Sequence, residues 1–111
     1  MRYFETCFLE EANQYLSSLD MKAIKKVLFN IDLSEQTNDP RLFKKLQKDI
    51  WEFRTLHRGV QIRLLAFWDK MEKRRTLVIA THGFHKKTDK VPASEINRAV
   101  KLREQYFRNK L

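Results

Sequence analysis

The chain has 111 residues, 42% of them hydrophobic, and a formal net charge of +9. That length suits one compact domain spanning residues 1–111, and no apolar run is long enough for a membrane span. The start, Met1-Arg2-Tyr3-Phe4, lacks a signal-peptide pattern, and a single cysteine, Cys7, excludes an internal disulfide, so a reducing cytoplasm is the expected setting.

The charge is uneven: residues 1–20 hold one Lys/Arg against four Asp/Glu, and residues 76–111 hold eight against three. A basic excess of this size favours a polyanionic partner, either nucleic acid or an acidic protein, although a lysine-rich soluble surface has the same composition.

A first strand is expected at Arg2–Thr6. Phe8, Leu9, Ala12, Tyr15, Leu16 and Leu19 then recur at helical spacing, and Ile24, Val27, Leu28 and Ile31 repeat the pattern. Between them Asp20 is placed to cap the second helix by accepting a backbone N–H bond, and the short break predicts an antiparallel helical hairpin. The polar segment Ser34–Arg41, with Asn38-Asp39-Pro40, reads as a loop.

After this loop the period changes from helical to alternating. Ile50–Leu56 puts Trp51 and Phe53 on one face and Glu52 and Arg54 on the other. Val60–Trp68 alternates again, with Val60, Ile62, Leu64, Ala66 and Trp68 together, and Gly59 marks the turn between the two strands. Asp69–Arg75 is a charged turn, and Thr76–Phe84 is a strand apolar enough to be covered on both faces. Pro92 precedes a last amphipathic helix carrying Ile96, Ala99, Val100 and Phe107.

The predicted fold is α+β, in the order β-α-α-β-β-β-α. It is a small antiparallel sheet with the two N-terminal helices on one face, plus a C-terminal helix. A two-residue turn at Arg58-Gly59 sets Arg54 directly opposite Arg63. Two like charges so placed are destabilising unless an anion lies between them; a register slip, or two arginines bent out to water, would also relieve them.

The histidines His82 and His85 stand three residues apart, with His57 as the only other one. The surrounding lysines repel a divalent cation and too few ligands are present, so neither a metal nor another cofactor is expected. Cys7 sits among apolar neighbours and reads as a buried small hydrophobe rather than a nucleophile. No glycine-rich phosphate loop exists; Gly59 and Gly83 are isolated.

Histidine among lysines and arginines does suit cleavage of RNA by its own 2′-hydroxyl. A base removes the 2′ proton, an acid protonates the leaving oxygen, and cations stabilise the charge that develops on phosphorus. Alternation groups His82 with Val78, Ala80 and Phe84, the company of a partly buried structural histidine. His85 lies past Gly83, beside Lys86 and Lys87, and is preferred for proton transfer, with either lysine holding the phosphate.

The stretches "WEFR" at 51–54, "IRLLAF" at 62–67 and "HGFHKKTDKVPASEINRA" at 82–99 resemble the RelE/ParE toxin superfamily, in its HigB-type, phage-derived branch. The pattern runs through Phe53-Arg54, Arg63, Gly83-Phe84, Lys86-Lys87-Thr88, Lys90, Pro92, Glu95-Ile96 and Ala99. The clear match covers residues 51–107; the helical hairpin agrees in layout only.

The resemblance implies the toxin of a type II toxin–antitoxin pair, an mRNA interferase that cuts codons on the ribosome. It implies a cognate antitoxin, of helix-turn-helix type, with mRNA and the ribosome as further partners and no membrane. Catalytic groups are then sought among His85, His82, Lys86, Lys87, Arg63 and Arg54, and RNA contacts among Arg54, His57, Arg58, Arg63, Lys86, Lys87 and Lys90. Ribosome-dependent relatives often use a tyrosine or an Asp/His set near the C-terminus; this chain ends its last helix with Tyr106-Phe107, and its nearest histidines are His82 and His85 instead, which leaves the general base open. The alternative is the gyrase-poisoning branch, in which the same scaffold binds protein and cuts nothing.

Overall fold

The computed structural model describes residues 2–73 and 75–110. Its elements are β1 (Glu5–Phe8), α1 (Glu10–Ser17), α2 (Met21–Thr37), β2 (Phe43–Lys45), β3 (Trp51–His57), β4 (Val60–Asp69), β5 (Leu77–Lys86) and α3 (Ala93–Lys110). The strands form one sheet in the order β1-β5-β4-β3-β2. The fold is α+β, as expected, but the sheet is mixed: β1 pairs parallel with β5, and the other pairings are antiparallel. No tight turn joins β1 to β5, so nothing local forces them to run in opposite directions.

The helical hairpin forms for the reasons its pattern supplies. The Asp20 side chain accepts a hydrogen bond from the Ala23 N–H at 2.9 Å and opens α2. Ala12 and Leu16 of α1, and Ala23, Val27 and Ile31 of α2, are buried against the sheet. Leu28 falls off that stripe and is exposed. The first strand begins later than expected, because the Tyr3 N–H bonds to the Glu35 carbonyl rather than to a strand neighbour. The expected loop at Ser34–Arg41 is entered late as well: α2 runs to Thr37 and stops at Asn38, whose left-handed φ of 54° ends the helix. The three-residue strand β2 follows it, an element the periodicity did not reveal. Of the charged turn expected at Asp69–Arg75, Arg74 lies outside the described residues. Cys7 is exposed, not buried: it sits on β1, an edge strand of the sheet.

The β3–β4 hairpin turns through Arg58 and Gly59, both at positive φ, and its register sets Arg54 opposite Arg63. The face of α1 and α2 buries Phe53, Ile62, Leu64, Ala66, Val78 and Ala80. Ile96 and Ala99 of α3 pack on Leu65, Phe67, Leu77 and Ile79 and cover the centre of the second face, so β5 is covered on both faces as its apolar run implied.

A bulge in β5 decides which face its last residues occupy. Ala66 pairs with Ala80 and Leu65 pairs with His82, so Thr81 is an extra residue. Beyond it the phase reverses. His82, paired to Leu65, and Phe84, paired to Arg63, lie on the α3 face, while Gly83 and His85 lie on the α1 face. Gly83 is required there: a Cβ would stand 2.1 Å from Cδ2 of Tyr15 in α1.

Candidate nucleic-acid interface

The opposition of Arg54 and Arg63 is resolved from within the protein. Glu52 sits two residues before Arg54 on β3, so both point to the α3 face. Its carboxylate stands 3.5 Å from Arg54 Nε and 3.4 Å from Arg63 Nε. Glu52 and Arg63 are only 3% and 4% exposed. Of the ways to relieve two facing arginines, the fold uses an anion from within the chain, this glutamate, and the trio keeps one net positive charge.

Arg63 donates to the Ile62 carbonyl at 3.2 Å and to the Gln61 side-chain oxygen at 2.9 Å. Arg63 Nε, Arg54 Nε and Glu52 Oε2 are buried and make no hydrogen bond, so at these atoms the trio is held by ion pairing alone, and the guanidiniums can take a further acceptor. Burial pulls the Arg63 guanidinium below its ordinary pKa; Glu52 opposes that shift and Arg54 adds to it.

Two grooves meet at Arg54. One, of about 450 Å³, is walled by Lys44 and Lys45 of β2 and by Lys86 and Lys90 at the exit of β5, with Glu52 and Arg54 in its lining. The other, of about 500 Å³, lies along β3 beyond the end of β2 and joins Arg54 and Arg63 to Lys26 and Arg41. Cationic side chains thus follow one another from α2, past the paired arginines, to the start of α3.

The structure brings together Arg54, Arg63, Lys86 and Lys90 from the expected set. Lys87 follows β5 and is exposed. His57 and Arg58 lie at the far end of the hairpin, near Asp20 at the start of α2.

The histidines lie outside the grooves. His85 packs edge-on against Tyr15, at 5.7 Å between ring centres, on the α1 face. His82 was expected beside Val78 and Ala80; the bulge moves it to the α3 face, where it is 1% exposed. Its Nε2 is 3.1 Å from Glu95 Oε1 and its Nδ1 is 3.0 Å from Thr81 Oγ1. Burial, then the Arg98 charge, hold its pKa below 6.5, against the opposing pull of Glu95. His82 thereby ties the first turn of α3 to β5.

Tyr106 also lies away from the grooves. Its hydroxyl donates to Asp69 Oδ2 at 2.7 Å, and Lys110 donates to the same oxygen at 2.7 Å. Asp69 is at the opposite end of β4 from Arg63, roughly 20 Å along the strand at about 3.3 Å per residue.

The residues that sequence reasoning missed are Glu52, Lys44, Lys45, Lys26 and Arg41. A signal for Glu52 was present: it shares its alternating phase with Arg54. Among the described residues no group of three or more His, Cys, Asp or Glu could hold a metal ion, and no helix is long and apolar enough to cross a membrane.

The α+β scaffold, with its helical hairpin on one face of a mixed sheet, matches the fold found in solved RelBE toxin–antitoxin complexes. The chain is similar to the toxin–antitoxin complex RelBE2 of Mycobacterium tuberculosis, with 21% identity and a TM-score of 0.56, covering 78% of this chain and 100% of that one. It is similar also to the intact RelBE toxin–antitoxin complex of E. coli, with 13% identity and a TM-score of 0.55, covering 77% and 99%. No curated protein sequence matches it. The family is shown by sequence: residues 14–104 match the model of the phage-derived protein Gp49-like family (DUF891), and the chain belongs to that family.

Proposed function

We propose that this chain is the toxin of a toxin–antitoxin pair and that it cuts mRNA on the ribosome by attack of the 2′-hydroxyl. The observation that carries the reading is the ion-paired trio of buried Glu52 and Arg63 with part-exposed Arg54, beside lysine-walled grooves. A scissile phosphate at Arg54 would give the guanidiniums a further acceptor. The Glu52 carboxylate takes the 2′ proton, and the 2′ oxygen attacks phosphorus. The bond to the 5′ oxygen breaks, and an ammonium from Lys86 or Lys90 supplies the proton that leaves with it. The products are a 2′,3′-cyclic phosphate and a free 5′-hydroxyl, and no metal or cofactor enters. The fixed guanidiniums stabilise the extra negative charge of the phosphorane. In this reading His82 and His85 have structural roles only.

The antitoxin follows from the same likeness, since both solved relatives are complexes of a toxin with an antitoxin. An acidic antitoxin segment lying in the cationic grooves would block them directly. Translation in a cell-free extract tests the function. We expect arrest with cleaved mRNA and unchanged DNA supercoiling. Altered supercoiling with intact mRNA would mean that the scaffold acts on a topoisomerase instead.

A further inference from the structure

The chain has two tryptophans, and both line one groove. This groove, of about 420 Å³, is formed by Lys45, Asp49, Trp51, Trp68, Lys70 and Arg103. The two indoles pack edge to face, with ring centres 5.5 Å apart. One partner of Trp51 is internal, the stacked ring of Phe43 at 4.9 Å. Lys70 stands over the Trp68 ring at 5.2 Å. Both tryptophans are only partly buried, and Trp68 Nε1 has no hydrogen-bond partner. Trp68 also packs edge-on against Phe4 at 5.2 Å, so the pair forms the rim of the core, with one side on buried rings and the other lining the groove.

The position of the groove gives it a use. Lys45 lines both this groove and the lysine-walled groove that holds Glu52 and Arg54. The two therefore meet at the β2 edge of the sheet, on either side of a three-residue strand. Lys44 pairs with Glu52 and Lys45 with Trp51, so a chain laid in the catalytic groove reaches the indoles by crossing the β2 edge between these two lysines. Lys45, Lys70 and Arg103 oppose Asp49 alone, so the groove is cationic and complements a phosphate backbone. Aromatic rings set among cations are the common platform for unpaired bases.

We infer that the Trp51–Trp68 groove is a stacking subsite for an unpaired base of the RNA, outside the nucleotides at the scissile bond. The inference rests on the RNA-cleaving reading above, and it adds a contact to a base where that reading concerns only a phosphate. The stack tolerates any base, because every base has a π-face, so it adds affinity and alignment rather than sequence choice.

The test uses the tryptophan emission of the whole chain, which reports on this groove alone because no other tryptophan exists. The probe is a short single-stranded RNA methylated at every 2′ oxygen, which cannot be cut. Its control is an abasic oligonucleotide of the same length and charge. The RNA should quench the emission, and the abasic chain should bind roughly 5- to 150-fold more weakly and leave the emission unchanged. Trp51→Ala should bring the RNA down to the abasic affinity, and Trp51→Phe should restore it. If Trp51→Ala does not fold, Lys70→Glu carries the test, since Lys70 lines this groove and not the catalytic one; it should weaken RNA binding and reduce the quenching.

Equal binding and quenching by the two oligonucleotides would overturn the subsite. So would unquenched emission in a protein that still cuts mRNA, and that outcome would leave the catalytic reading standing. Failure to bind either chain would overturn the subsite, while the catalytic reading, which concerns mRNA on the ribosome, stands or falls by the cleavage assay. Binding of an aromatic protein segment by the tryptophan groove, with no response to RNA, would reassign it to a protein partner.

Discussion

Arg63 shows how the chemistry of one side chain is set by its neighbours. It lies in the polar phase of β4, which on its own suggests a replaceable surface residue. In the fold it is 4% exposed and shares a carboxylate with Arg54. Arg63→Ala would leave Glu52 buried with only the one-third-exposed Arg54 to balance it. Breaking a buried pair in this way costs about 3–5 kcal/mol, so urea unfolding of Arg63→Ala should show a large fall in stability. Arg54→Ala should unfold close to wild type, because the Arg54 side chain is 33% exposed. Equal stabilities for the two variants would mean that the trio does not exist as described.

His82 gives a prediction in pH at the same scale. Glu95 and Arg98 face it from α3 and Glu11 from α1. Its folded pKa lies below 6.5, so the unfolded chain takes up the proton first as the pH falls. Stability that is complete above pH 6.5 should therefore be lost on acidification from that value through the lower folded pKa. Melting temperatures of the wild type and His82→Gln, measured across that window, check this: only the wild type should show the extra slope.

At the scale of elements, β5 joins everything. Its bulge at Thr81 turns His82 toward α3 and leaves Gly83 facing α1. The Tyr15 ring fills the space that a side chain at 83 would need, and burial pushes the Tyr15 hydroxyl up to about 12. Gly83→Ala should therefore overpack this contact and lower stability by about 1–3 kcal/mol. Pairing it with Tyr15→Leu should recover part of that loss, which thermal unfolding of the single and double variants would show.

Much of this layout was legible from period alone. Both helical stripes, the Asp20 cap, the β3–β4 hairpin and the facing arginines all follow from spacing and a two-residue turn. The bulge was not legible, because one added residue inside an apolar run leaves no mark on composition while reversing every later side chain. That single residue put His82 beside the wrong neighbours and His85 on the wrong face. Strand β2 is three residues long, too short for any period, so Lys44 and Lys45 could not be placed beside the arginines. Glu52 was placed on the face of Arg54 but given no role. Its role depends on α3 burying that face, a tertiary fact.

At the scale of the whole molecule the charge of +9 is organised rather than spread. Grooves lined by Lys26, Arg41, Arg54, Lys44, Lys45, Lys86 and Lys90 meet around the trio. Binding of an acidic antitoxin there should weaken steeply with salt, because exposed charges are screened beyond roughly 8 Å at physiological ionic strength. Titration calorimetry at low and high salt checks this, and an affinity independent of salt would point to an apolar interface instead.

The central claim is that proton transfer and phosphate binding reside in the Glu52–Arg54–Arg63 trio and not in the histidines. Single-turnover cleavage of mRNA on programmed ribosomes tests it most directly, comparing Glu52→Gln with His85→Gln after circular dichroism confirms that both fold. Glu52→Gln should cut roughly 10²–10⁴-fold more slowly, and His85→Gln should keep the wild-type rate. A wild-type rate for Glu52→Gln, with His85→Gln slowed at least a hundredfold (the low end of that range), would contradict the account.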